Sequence, residues 1–194
     1  MPRLLTLLPA AALAATALIS APSPAHAVIT IDCSTGPVTI AGSTEAYILT
    51  GACSTVTVTA SNVTVALAGA ARMDISGSNF SVISTGPIDS VRVTDSVGSV
   101  AAPAARSAKI RSSNVTLKID ALDSVKLTGS NNSVVAARGK TARVKGSNNS
   151  LAYTKLVNLV IRGSNNFAKV RKGATKVTVH GSFNVVRVHK RLDP

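Results

Sequence analysis

The chain has 194 residues and a formal net charge of +13, with 21 Lys and Arg against 8 Asp and Glu. Aromatic residues make up only 3% of the chain and Trp is absent, which argues against a globular β-sandwich, because such a core is usually filled by larger side chains. All the Lys and Arg residues except Arg3 and Arg72 lie at or beyond position 92. A length of this order suits one domain, and the one-sided charge suggests an anionic partner.

The start of the chain has the pattern of a secretory signal peptide. A basic beginning precedes a largely apolar run over residues 4–19, and Ala25-His26-Ala27 supplies small residues at the −3 and −1 positions. The apolar run is shorter than the ~20 residues that a transmembrane helix needs. We predict a signal peptide over residues 1–27 with cleavage before Val28, and a repeat domain over residues 28–194. The mature chain then has no transmembrane segment and is secreted or associated with the cell envelope.

The mature chain contains two cysteines, Cys33 and Cys53. In the oxidising compartment that a signal peptide implies, we predict that they form a disulfide. The alternatives are two free thiols or half of a metal site. The second alternative lacks partners, because the only mature histidines, His180 and His189, are distant in sequence. We predict no metal site and no cofactor.

A short phrase recurs along the mature chain. Gly-Ser-Asn-Asn begins at Gly129, Gly146 and Gly163, so these copies are evenly spaced, and a looser copy begins at Gly181 after a slightly longer interval. Nearly the same spacing continues upstream, with Ser in the second position of every copy, at Ser43, Ser61, Ser78, Ser96 and Ser113. A fixed short period indicates a repeat architecture.

Aliphatic residues alternate with polar residues on both sides of each copy. The position two residues before each copy is always aliphatic, as in Ile110 and Leu127, and the sixth position of each copy forms a second aliphatic column, as in Leu117 and Val134. This period of two predicts strands with one buried face. Because one repeat cannot bury its apolar face alone, we predict parallel strands stacked at ~4.8 Å per coil. The predicted fold is all-β, a single-chain parallel β-solenoid (β-helix) of about ten coils of about 17–18 residues, with its handedness and the number of faces per coil left open.

The residues of the recurring phrase suit the corner of a coil. Gly permits positive φ at a tight corner, and Asn tolerates the left-handed region. Asn amides placed one above another can also hydrogen-bond along the stack, as in cross-β ladders. We therefore interpret the phrase as a structural turn rather than as a binding motif.

With its predicted signal peptide, its cysteine pair and its Gly-Ser-Asn-Asn copies followed by short valine-rich strands, the chain resembles a family of secreted actinobacterial GSNN-repeat proteins. That family is described only as a domain of unknown function. The resemblance covers nearly all of the mature chain, although the phrase is degenerate in the first half. It implies an exported β-repeat protein and brings no catalytic residues with it.

If the protein were a carbohydrate-active enzyme of the β-helix type, its acidic residues would act as acid and base or as metal ligands. Asp120 and Asp123 flank one turn, and Asp89 lies two repeats earlier. Ordinary solvated turn aspartates would give the same pattern, and a Ser near a His carries little information in a chain so rich in Ser. We predict that the protein is not an enzyme, and keep such an enzyme, or a purely structural or assembly module, as alternatives.

Basic residues recur at two positions that precede the turns of successive repeats. Because they alternate with the buried aliphatic residues of the same strands, they should point outward. Stacking would place like charges roughly 5 Å apart, which is destabilising unless an anionic polymer lies along them. The plainer explanation is that these residues keep a β-rich protein soluble. The candidate anion-binding residues are Arg92, Lys109, Lys126 and Arg143 in the first position and Arg111, Lys145 and Arg162 in the second.

The leading hypothesis from the sequence is an exported, non-enzymatic β-solenoid with a basic face. That face would bind an anionic cell-envelope polymer, polysaccharide or surface. Nucleic acid fits less well, because no aromatic stacking platform is interleaved with the basic residues. The oligomeric state is left open.

Overall fold

The computed structural model describes residues 27–192 as a parallel β-solenoid of about ten turns, which confirms the predicted fold. Its 14 strands form one continuous sheet, and a short 3-10 turn over Cys33–Thr35 is the one helical element of this range. Residues 1–26 of the predicted signal peptide lie outside the described range, as do residues 193–194. Within residues 27–192 no helix is long and apolar enough to cross a membrane.

Each coil contributes two runs of strand, one after and one before the recurring turn. The strands are β1 (Val28–Asp32), β2 (Val38–Ile40), β3 (Ala46–Thr50), β4 (Cys53–Val58), β5 (Val63–Leu67), β6 (Ala70–Ile75), β7 (Phe80–Ser84), β8 (Ile88–Thr94), β9 (Gly98–Arg111), β10 (Val115–Thr128), β11 (Ser133–Lys145), β12 (Ser150–Arg162), β13 (Phe167–His180) and β14 (Val185–Leu192). The runs after the turn pair in the order β1-β3-β5-β7-β9-β10-β11-β12-β13-β14, which gives ten rungs. The runs before the turn pair in the order β2-β4-β6-β8-β9 and continue in the second halves of the longer strands.

From β9 onward, the two runs of a coil merge into single strands of 13 or 14 residues, up to β13. In the earlier coils a break separates the two runs, at Gly51 with φ 76° and at Gly69 with φ 151°. The later coils replace this break with an extended bend, whose inward residues Ala105, Leu122 and Leu156 are buried. Each coil therefore has two runs, joined by a bend on one side and by the recurring turn on the other.

Both runs of a coil point alternate side chains into one hydrophobic core cluster, so their outward sides lie on different sides of the solenoid. We call the outward side of the runs after the turn face A, and the outward side of the runs before the turn face B. Face A thus carries outward residues such as Thr116 and Lys118 of β10, and face B carries outward residues such as Ser124, Lys126 and Thr128 of the same strand.

The core consists of the aliphatic columns that the sequence predicts. Leu117, Val134 and Leu151 are 0–1% exposed and stack on consecutive coils, and so do Ile110 and Leu127 of the other run. The columns hold mainly Val, Leu, Ile and Ala, and Tyr47, Phe80 and Tyr153 are buried among them. In the last coils the same columns are only half-buried, since no further coil covers them.

The recurring turn takes the backbone conformation that its residues favour. The first Asn of each complete phrase is left-handed, with φ 56° at Asn131 and Asn148 and 55° at Asn165. Gly146 has φ 137°, and a side chain there would overlap the carbonyl of Gly129 in the coil below. A positive φ and close stacking both require glycine at this corner.

The second Asn of the phrase forms a buried ladder along the stack. Asn132, Asn149 and Asn166 are 1–2% exposed. The Nδ2 of Asn149 donates to the Oδ1 of Asn166 and to the carbonyl of Gly129, both at 3.0 Å. Its own Oδ1 accepts from the backbone N–H and the Nδ2 of Asn132, at 3.0 and 3.1 Å. The ladder, which ends at Asn184, confirms the predicted amide stacking, and its complete pairing makes the burial of polar groups tolerable.

The disulfide between Cys33 and Cys53 is present, as predicted, with a Cα–Cα distance of 4.7 Å. It links the 3-10 turn after β1 to the start of β4 in the next coil. The carboxylate of Asp32 caps this turn by accepting from the backbone N–H and the Oγ of Ser34, at 2.9 and 2.7 Å. These hydrogen bonds lower the pKa of Asp32. The first coil is thereby attached to the second by a covalent bond.

Replacing Cys33 and Cys53 together by Ser should loosen the first coils and leave the later coils unchanged. The disulfide spans 20 residues of sequence, and the loop-closure entropy of such a link is worth about 3 kcal/mol. In a solenoid each coil contacts only its neighbours, so the loss should stay local. Hydrogen exchange should rise in residues 28–58 and remain unchanged in residues 115–162. Equal acceleration in both regions would contradict this local effect.

Candidate anion-binding face

Face B carries an uninterrupted column of basic residues on four consecutive coils. The strand register pairs Arg92 with Lys109, Lys109 with Lys126, and Lys126 with Arg143. Arg92, Lys126 and Arg143 are exposed, while Lys109 is half-buried between its neighbours. The outward position that the sequence predicts for these four residues is therefore confirmed, and successive members lie ~4.8 Å apart along the solenoid at the backbone.

The second predicted column is on the same face but is not continuous. Thr128 lies between Arg111 and Lys145, so the register runs from Arg111 to Thr128 and then to Lys145. Above this point Lys145 and Arg162 are adjacent in register, and His180 follows Arg162. All seven predicted residues share face B, but they form one complete column and one divided column.

The basic face has a defined lower boundary. Asp74 occupies the position below Arg92 in the first column, and its Oδ2 accepts from the Nε of Arg72 at 2.6 Å. The charges of Arg72 and Asp74 therefore cancel each other, and Thr57 lies one coil further down. The excess positive charge of the face therefore begins at Arg92.

Lys109 shows the electrostatic consequence of stacking cations. The positive charge of Arg111 first of all, followed by partial desolvation and the charges of Arg92 and Lys126, lowers the pKa of Lys109 below its ordinary value. Because these neighbours disfavour the protonated ammonium, the local potential of the face is positive. An anion near Lys109 would remove that repulsion.

The long basic side chains enclose shallow cavities on face B. One cavity of about 470 Å³ is lined by the basic residues Lys126, Arg143, Lys145 and Arg162, together with the aliphatic residues Leu127, Val144 and Val160. Val160 occupies the position above Arg143 in the first column. A short aliphatic side chain at this point leaves space between the surrounding cations, so they can converge on one anionic group. Val160 carries no charge, so the pattern of basic residues in the sequence does not reveal its place in this cavity.

A row of hydroxyl groups runs beside the first basic column. Ser90, Ser107 and Ser124 follow one another in register and line a second cavity of about 350 Å³ with Arg92, Lys109 and Lys126. Hydroxyl groups can donate hydrogen bonds to phosphate, sulfate or carboxylate oxygens. They were also missed from the sequence, although their fixed position five residues before each turn is a signal that could have revealed them.

At the bend between the two runs, one column places opposite charges above one another, unlike the first column on face B. Asp89, Arg106, Asp123 and Lys140 follow one another at intervals of one repeat and alternate in sign. Arg106 pairs with Asp89 at 3.4 Å, and Lys140 pairs with Asp123 at 2.9 Å. The charges of this column are thus matched in sign, whereas those of the first column on face B are not. Like charges also stack off face B, because Arg138, Lys155 and Lys172 follow one another in register beside the bend.

The acidic residues considered for an enzyme do not converge in one site. Asp89 and Asp123 each pair with a different cation at the bend, and Asp120 lines a separate cavity of about 200 Å³ with Tyr153 and Arg171. Among the described residues no group of His, Cys, Asp or Glu has the arrangement of a metal site.

Comparisons with family models, curated proteins and solved structures found no significant match for this chain. The resemblance to the secreted GSNN-repeat family therefore stays a prediction.

Proposed function

We propose that the protein is an exported, non-enzymatic binding protein whose face B holds a linear anionic polymer of the cell envelope. One observation carries the proposal: seven Lys and Arg residues share one face, and the first column holds four of them in unbroken register. The matched charges of the bend support it, because the same coils can pair opposite charges where no partner is needed. A bound polyanion would supply the missing negative charge on face B.

The dimensions of the face favour an extended polymer over a single small ion. From Arg92 to Arg143 the first column spans three coil steps, which is ~14 Å. Arg162 adds one more step on the second column. A polymer lying parallel to the solenoid axis would meet a cation at each coil and a hydroxyl group beside several of them. Phosphate-rich or acidic envelope polymers have this chemistry, and counterion release would drive their binding.

Binding to a glycerol-phosphate polymer should fall steeply as salt is added, and this test decides the proposed function. If six or seven cations each neutralise a polymer charge, the slope of log K against log salt should be about −4 to −6. The affinity should then drop by at least about a hundredfold between 50 and 200 mM NaCl. The mature protein would be titrated with fluorescent glycerol-phosphate polymer and with heparin, with dextran as the neutral control. No binding to either polyanion at 50 mM NaCl, or equal binding to dextran, would overturn the proposal.

A further inference from the structure

Face A carries a second surface of a different kind on its first coils. The outward residues of β3, β5, β7 and the start of β9 include no charged side chain. One column of this surface alternates large and small residues in register: Ile48, Ala66, Ile83 and Ala101. Ile48 and Ile83 are 43% and 52% exposed. The column beside it contains only short side chains: Ala46, Thr64, Ser81 and Ser99. We call these two columns on coils two to five the neutral patch.

We propose that two copies of this chain pair through the neutral patch, with their solenoid axes antiparallel. The two-fold axis would run along the strand direction, between the third and fourth coils. Each column then faces the same column of the second copy with the order of coils reversed. Ile48 would lie opposite Ala101 of the second copy, and Ala66 opposite Ile83. Every large residue therefore meets a small one, as in a dry interface between paired sheets, and the contact is self-complementary, as a two-fold interface requires.

The parallel arrangement is less favourable in both shape and charge. It would place each exposed Ile against the same Ile of the second copy and leave gaps at the Ala positions. It would also bring the two basic halves together, because residues 27–71 contain no Lys or Arg whereas residues 163–192 contain seven and no acid. The antiparallel arrangement directs these basic ends away from each other. Long-range repulsion therefore selects the antiparallel pair.

The size of the patch predicts a weak dimer. Strands of five residues at ~3.3 Å each, on the four coils of the patch at ~4.8 Å, give a footprint of roughly 300 Å² per copy. The total of roughly 600 Å² is below the size of a standard stable interface and typical of transient ones. We expect dissociation in the micromolar range. Face B of both copies would stay exposed, so the pairing does not depend on the proposed polymer binding.

Sedimentation velocity of the mature protein from about 1 to 200 µM at 150 mM NaCl should show a reversible monomer–dimer equilibrium. Ala66→Arg fills the hole that receives Ile83 and adds charge, so it should weaken the dimer at least tenfold. The matched control is Val135→Arg, on the same column two coils above the patch and 44% exposed, which should leave the equilibrium unchanged. Circular dichroism would confirm that both variants are folded. A monomer throughout the concentration range would overturn the proposal, as would equal effects of the two variants.

A distance measurement separates the two orientations. A spin label on Ser150→Cys would be on face A of the eighth coil, outside the patch. In the antiparallel dimer the two labels are nine coil steps apart along the axis, or ~43 Å. In a parallel dimer they would face each other across the sheet-to-sheet spacing of ~10 Å plus the label arms. A double electron–electron resonance distance of about 40–50 Å supports the antiparallel dimer, and a distance below about 25 Å overturns it.

Discussion

Changing Lys109, Lys126 and Arg143 together to Glu should reduce the affinity for a glycerol-phosphate polymer by at least about a hundredfold at 50 mM NaCl. The three residues are consecutive members of the unbroken column. Each change prevents the release of one counterion on binding and adds one repulsive charge. A cation beside an anionic surface contributes about 1 kcal/mol to the binding free energy. The salt slope should also become shallower by about three times 0.7–0.9. Fluorescence titration at four salt concentrations would measure both effects.

A matched variant distinguishes the basic face from net charge. Lys118, Lys155 and Arg171 are exposed and lie off face B, on face A or beside the bend. Changing all three to Glu alters the net charge by the same amount as the first variant. It should weaken binding by less than about tenfold, because only the screened long-range field changes. Equal losses for the two triple variants would show that net charge, rather than face B, controls binding.

The single change Lys126→Glu tests whether the cations are kept for binding or for stability. It would place a carboxylate between Lys109 and Arg143 and restore the alternating signs that the bend already uses. Cross-strand pairs of opposite charge contribute about 0.2–1 kcal/mol, and adjacent like charges cost similar amounts. We expect the variant to be slightly more stable in urea and to bind the polymer less tightly. A less stable variant would contradict the idea that the column carries unrelieved repulsion.

Asn149→Ala should destabilise the solenoid by about 3–5 kcal/mol. The side chain is 1% exposed, and its removal leaves the backbone N–H of Asn132 without its acceptor and the Nδ2 of Asn132 with only the carbonyl of Ser112. The carbonyl of Gly129 also loses its donor. Each unsatisfied buried group costs about 1–3 kcal/mol, and the ladder is cooperative because its amides polarise one another. Urea denaturation followed by far-UV circular dichroism would measure the loss.

The neighbouring Asn148 supplies the control for the ladder. Asn148 is exposed and has φ 56°, so its role is conformational. Asn148→Gly keeps access to the left-handed region and should change the stability by less than about 1 kcal/mol. If Asn148→Gly and Asn149→Ala were equally destabilising, the turn geometry rather than the amide ladder would be the source of stability.

The repeat, the strands and much of the candidate face follow from the sequence because a solenoid repeats its register. Once residues one repeat apart are known to stack, every column can be read directly from the chain. The buried columns, the outward position of Lys109 and Lys126, and the Asn ladder are therefore all predictable. The disulfide is predictable for a different reason, since the chain offers Cys33 one partner, Cys53.

The bend of the coil is seen only in the three-dimensional structure, because stacking alone does not determine it. A fixed period defines what lies above each residue, but it is compatible with two or three faces per coil. The structure shows two runs joined by a bend, and this separates face A from face B. It also shows that Arg106 and Lys140 are paired with carboxylates, whereas the column from Arg92 to Arg143 stacks cation on cation.

The recurring Gly-Ser-Asn-Asn phrase shows most clearly which features follow from the sequence alone: the stacked positions, their alternation and the turn between them. All of these depend on local backbone preference and on a fixed period. The side of the solenoid on which each column lies follows only from the three-dimensional packing of the coils. The orientation of face A relative to face B depends on the angle of the bend at residues such as Leu122. That angle is set by packing in the core rather than by the repeat.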